Sequence, residues 1–99
     1  MKTLNEIKQL LQAQKPYLAE RYGINEIGVF GSYVRGEQRP DSDLDILIEL
    51  TDPPRISLLG LVEMEDYLSD LLGVKVQTAI KTDLKPRLKP YILEEVVIL

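Results

Sequence analysis

Gly31, Ser32, Asp43 and Asp45 are the residues whose types and spacing could do chemistry in this chain. Asp43 and Asp45 stand i, i+2 at the opening of an apolar run that ends at Leu50. Residues two apart in a strand share a face and sit roughly 6.6 Å apart, so both carboxylates could point at one place. Their mutual repulsion would be offset by a divalent cation. Gly31-Ser32 closes an earlier apolar run, Ile24 to Phe30. A glycine there lets the backbone approach phosphate oxygens closely, and Ser32 offers a hydroxyl and an amide. Amides opening a helical turn also favour anionic oxygens. Such a set suits metal-assisted work on a phosphorylated ligand.

The composition removes several competitors. The chain has no cysteine, which excludes disulfides, thiolate metal sites and cysteine nucleophiles. It has no histidine either, so the usual general base and the usual zinc ligand are missing. Chemistry must then run on carboxylates, hydroxyls, Lys or Arg, or a hard, oxygen-liking ion. A net charge of −4 argues against a general nucleic-acid binder, and no direct nucleic-acid partner is expected. A small phosphorylated ligand arriving with its own metal remains compatible. The opening MKTLNEIKQLLQ has no signal-peptide core, and no apolar run approaches the ~20 residues of a membrane span. The expectation is a cytoplasmic protein without a membrane partner. Ninety-nine residues suit one domain over 1–99. A domain of this size buries a modest fraction of its surface, so a partner or a homo-oligomer would be unsurprising.

The elements that must position the four residues can be read in order. Leu4, Ile7, Leu10 and Leu11 fall on one helical face over residues 3–14. Thr3 and Glu6 have capping-box spacing. Pro16 either kinks this helix or restarts it, residues 17–22 can extend it, and Gly23 is a natural stop. A short strand follows over 24–30, then one helical turn over 33–36 and a turn-rich loop over 37–42. In the next strand Leu44, Ile46, Ile48 and Leu50 form an apolar face, with Asp43, Asp45, Leu47 and Glu49 opposite. The first face fits a helix-covered core and the second a partly open surface. Residues 51–54 break the chain. A helix is predicted over 56–72 with Gly73 as its cap, a third strand over 74–80 and a last short helix over 91–97 after Pro90. Three strands with helices segregated to one face make an α/β (α+β) fold, a small mixed sheet with helices mainly on one face.

Gly31-Ser32, ten intervening residues and Asp43-Leu44-Asp45 match G-S-x(10)-D-x-D. This resembles the signature of the polymerase-β-like nucleotidyltransferase superfamily, particularly its minimal members of about this length. The likeness covers GSYVRGEQRPDSDLDILIE over its whole span and runs on through the later helix, the third strand and the LKPRL…ILEE tail. It implies a polymerase-β-like nucleotidyltransferase fold, with Asp43 and Asp45 as catalytic residues holding Mg²⁺. Gly31, Ser32, Arg35 and Ser42 would contact the nucleotide. The implied reaction moves AMP from ATP to a hydroxyl acceptor. Minimal members are typically encoded beside a helical HEPN protein and act as antitoxins, so the implied acceptor is a tyrosine of a HEPN toxin. One departure stands out. The family usually carries a third carboxylate in a segment like V-D-x-V on the neighbouring strand, and here that segment reads Val76-Gln77-Thr78-Ala79. An amide oxygen can ligate a metal but is uncharged and a poor base. Glu49 lies ~13 Å beyond Asp45 along its strand and cannot readily substitute.

Plainer roles compete at several positions. Ser32 could serve only as a helix cap, and Arg35 could reach a phosphate or pair with Glu37 or Asp41. Lys81, Lys85, Arg87 and Lys89 read as a solvated face, Tyr33 and Tyr91 as packing residues, and the Leu/Met stripe of 58–72 as core. The alternative function is a catalytically weakened nucleotide-binding module that neutralises its partner by forming a complex. Gln77 keeps that reading open.

Overall fold

The computed structural model describes residues 2–99. Its first helix, α1 (Leu4–Tyr22), starts on the predicted capping box. The Glu6 amide donates to the Thr3 hydroxyl at 3.2 Å, and the Thr3 amide donates to the Glu6 carboxylate at 3.1 Å. Gly23 ends the helix in the left-handed region at φ 71°. The helix neither stops nor restarts at Pro16. An internal proline costs about 3 kcal/mol. Ile7, Leu11, Leu18 and Tyr22 lie on both sides of it and are buried in one core. Burial at about 1.5–3 kcal/mol per large apolar side chain outweighs that cost.

After α1 come β1 (Ile24–Phe30), the single turn α2 (Ser32–Arg35), β2 (Leu44–Leu50), α3 (Leu58–Leu72) and β3 (Val76–Ile80). A 3₁₀ turn (Lys81–Asp83), α4 (Lys89–Glu95) and β4 (Val97–Ile98) complete the chain. The strand order is β3-β2-β1-β4. β2 runs antiparallel to β1 and parallel to β3, with α3 as the crossover, and β4 runs antiparallel to β1. The mixed sheet is as expected, with one more strand than the three read from the sequence.

Ile27 and Val29 of β1, Leu44, Ile46 and Ile48 of β2, and Val76 of β3 are buried with side chains of α1 and α3. The second face is partly covered too. Leu47 is buried there, and Gly28 leaves room for Val96 and Ile98. A Cβ at Gly28 would stand 2.7 Å from Val96 Cγ2.

Two serines shift the predicted boundaries. The Ser57 hydroxyl accepts the Gly60 amide at 3.0 Å, so α3 begins at Leu58 rather than at residue 56. The Ser69 hydroxyl donates to the Glu65 carbonyl and accepts the Val76 amide at 2.9 Å, and β3 begins there rather than at residue 74. The Thr78 amide and hydroxyl both donate to Glu65 Oε2, at 2.8 and 2.7 Å, which ties α3 to β3. The apolar stripe of α3 joins the core only from Leu61 onwards, with Val62 exposed. Met64, Leu68 and Leu72 are buried, whereas Leu58 and Leu59 are 79% and 82% exposed. Tyr33 is a packing residue as predicted, but Tyr91 stands out in solvent on the short α4.

Candidate active site

β1 and β2 deliver Gly31 and Asp45 to the same end of the sheet. Phe30, the last residue of β1, is Asp45's partner in the antiparallel register. The chain then turns at Gly31, whose φ of 85° and ψ of −154° favour glycine. The turn matters for a second reason. A Cβ on Gly31 would overlap the Asp45 carboxylate, so only glycine allows this approach. Gly31 is thereby the N-cap of α2, and its carbonyl accepts the Val34 and Arg35 amides at 3.1 and 3.2 Å.

Ser32 is the first residue of α2. The N-cap is Gly31, so Ser32 does not serve as the cap. Ser42 is used differently. Its hydroxyl accepts the Arg39 amide at 2.8 Å, and its own amide donates to the Arg39 carbonyl, closing the turn that leads into Asp43. Beside that turn a cavity of about 520 Å³ is lined by Tyr33, Ser42, Asp43, Leu72, Val74 and Lys75. This falls within the range of small-molecule sites.

The electrostatics set Asp45 apart. Its side chain is half-buried at the sheet end, and its carboxyl is pushed above the ordinary aspartate range. Burial is the main cause, followed by the charge of Asp43, with Arg35 opposing and Glu95 adding a little. Asp43 and Asp45 form a pair of hard oxygen donors. No group of three or more acidic side chains among the described residues is placed to hold an ion. A pair of this kind fits a hard divalent cation whose remaining ligands are phosphate oxygens and water.

β3 supplies the other neighbour of Asp45. In the parallel register Gln77 is paired with Asp45, so the sequence placed this residue correctly. Glu49 pairs with Glu26 across the sheet and accepts from Lys81 at 3.4 Å, well away from this end.

One residue at the site was not anticipated. Glu95, the last residue of α4, accepts the Gly31 amide through Oε2 at 3.1 Å. Its Oε1 accepts from Arg35 Nη1 at 2.9 Å. Arg35 also donates through Nε to Glu37 at 2.8 Å, while Asp41 takes no part. The two carboxylates favour the charged guanidinium and raise its pKa further. The signal that could have found Glu95 is the apolar Val96-Val97-Ile98 that follows it. Read as a strand, that segment returns the end of the chain to β1.

A family model described as "Nucleotidyltransferase domain" matches residues 11–99. The chain belongs to that family. A protein adenylyltransferase named MntA, from Thermococcus cleftensis, is 50% identical over 97 residues, covering 98% of this chain and 96% of the relative. A solved structure provisionally described as a minimal nucleotidyltransferase is 35% identical, with a TM-score of 0.73 over 94% of this chain and 95% of that one. A chain from the complex of a tri-AMPylated Shewanella oneidensis HEPN toxin with its MNT antitoxin superposes with a TM-score of 0.60 over 95% of this chain and 66% of that one. At 20% identity, that last likeness speaks to the fold. The nucleotidyltransferase G-S…D-x-D signature thus sits on its own fold, with Gly31 against Asp45.

Proposed function

We propose that this nucleotidyltransferase moves AMP from ATP to a hydroxyl of a partner protein, most directly a tyrosine of a HEPN-family toxin, and thereby acts as its antitoxin. The observation that carries this reading is the close approach of the Gly31 turn to Asp45, a half-buried carboxylate that feels the charge of Asp43. The MntA relative, an adenylyltransferase by name, and the AMPylated HEPN complex of the same fold support the group transferred and the partner.

In this reaction the acceptor oxygen forms a bond to the α-phosphorus. The bond from that phosphorus to the bridging oxygen breaks, pyrophosphate leaves, and the hydroxyl's proton passes to solvent water. Ser32 and the opening amides of α2 bind terminal phosphate oxygens. Arg35 has guanidinium donors left beyond those engaged by Glu37 and Glu95. Asp43 and Asp45 would hold Mg²⁺, which supplies charge neutralisation on the phosphates and lowers the acceptor hydroxyl's pKa. The test is co-expression with a HEPN-type partner followed by intact-mass measurement. The partner should gain AMP-sized increments that disappear with Asp43→Asn. An unchanged partner mass with the wild-type chain would sink the proposal.

Gln77 beside Asp45 favours a second reading, a domain that neutralises its partner by binding alone. Under that reading Asp43→Asn still neutralises the partner, and transferase activity emerges only with Gln77→Asp.

A further inference from the structure

We infer that Glu95 is a positioning residue of the nucleotide site, whose carboxylate fixes the Gly31 turn and the Arg35 guanidinium in the arrangement that receives the triphosphate. This rests on the nucleotide-binding reading above and adds to it a residue contributed by the far end of the chain.

The Gly31 amide lies just beyond the last residue of β1 and just before α2, and its partner is the Glu95 carboxylate. A sheltered amide without an acceptor is costly, so Glu95 stabilises the turn directly. The other oxygen of the same carboxylate takes Arg35 Nη1. The Glu95 side chain is 23% exposed, against 48% for Arg35. It is the sheltered anchor of the pair. The other carboxylate on Arg35, Glu37, is itself 65% exposed and lies on the loop just beyond α2, so it holds the guanidinium less firmly than Glu95 does. Tethering it in advance removes ordering that the nucleotide would have to impose on binding. One Glu95 oxygen is spent on each partner, and the other guanidinium donors stay available to phosphate oxygens.

The opposite role would be a competitor, an acidic group filling the anion site until the triphosphate displaces it. The two roles predict opposite signs. Glu95→Gln keeps an acceptor for the Gly31 amide and removes the charge that holds Arg35. The readout is the dissociation constant of a non-hydrolysable ATP analogue with Mg²⁺, measured by calorimetry. The variants are Glu95→Gln, Arg35→Gln and the double substitution, with melting temperature followed in parallel.

If Glu95 positions Arg35, Glu95→Gln weakens binding about tenfold. The double variant then binds no more weakly than Arg35→Gln alone, since both act through one interaction. Should Glu95→Gln not fold, Glu95→Asp draws the carboxylate back by one methylene and carries the same expectation. Unchanged or tighter binding, or additive losses in the double variant, would overturn the inference while leaving the nucleotide site intact. Failure of the wild-type chain to bind the analogue would overturn the underlying reading, and this inference with it.

Discussion

Asp45 carries a cost that the fold accepts. Its carboxyl is held above the ordinary aspartate range by burial and by Asp43, so the folded protein holds that proton more tightly than the unfolded chain does. The stabilising effect of the protonated group is complete below the ordinary aspartate value and is lost as pH rises through the raised value. At neutral pH in the presence of a chelator, ionised Asp45 therefore opposes folding. Asp45→Asn is expected to melt at a higher temperature than wild type at pH 7, with the gap closing as the pH falls into the acid range. Scanning fluorimetry across that range in EDTA checks this. Adding Mg²⁺ should raise the melting temperature of wild type by mass action and leave Asp45→Asn unmoved. An Asp45→Asn protein less stable than wild type at pH 7 would mean that the carboxylate has a stabilising partner instead.

The elements show what could and could not be read from the sequence. α1, β1 and β2 were legible because their signals are local: a capping box, a left-handed glycine stop, and an alternation that sets Leu44, Ile46 and Ile48 against Asp45. Gly31–Ser32 and Asp43 flank the strands and were legible from their G-S-x(10)-D-x-D spacing, while strand register put Gln77 beside Asp45. The starts of α3 and β3 were less so. They depend on the hydroxyls of Ser57 and Ser69, and the second bridges two elements. β4 was missed because a two-residue strand has no period to read, and Glu95 was missed with it. Helical spacing likewise could not say where the core ends along α3. Leu68→Ala should cost about 2–5 kcal/mol in denaturant unfolding, because Leu68 is fully buried. The pair Leu58→Ser and Leu59→Ser should each stay within about 0.5 kcal/mol of wild type, since both side chains stand in solvent. A large loss from either serine variant would mean that this face is covered in solution.

The whole molecule is closed by its last strand. β4 pairs with β1 at Gly28 and Val29, the Leu99 amide donates to the Ile27 carbonyl, and Val96 seats over Gly28. Gly28→Ala presses a methyl group into the stiff, β-branched Val96 and towards the Val97 carbonyl, neither of which can yield cheaply. The expected result is a lower melting temperature with early hydrogen exchange at Val97 and Leu99, accompanied by weaker nucleotide binding as Glu95 loses its seat. Exchange at those amides as slow as in wild type would show that the closure tolerates the methyl group.

That closure also ties the site to both halves of the chain. Helices and neighbouring strands draw on local contacts, whereas the pairing of β1 with β4 joins sequence-distant segments and carries the entropic cost of closing a long loop. Gly31, Asp43 and Asp45 come from the β1–β2 region of the chain, whereas the Glu95 carboxylate that holds the Gly31 amide comes from α4, beside β4. A chain still emerging during synthesis, or one whose end has frayed, would thus hold its acidic pair without the clamp. Fraying of that end is expected to release the Gly31 amide and Arg35 while the β1–β2 pairing that carries Asp45 stays formed.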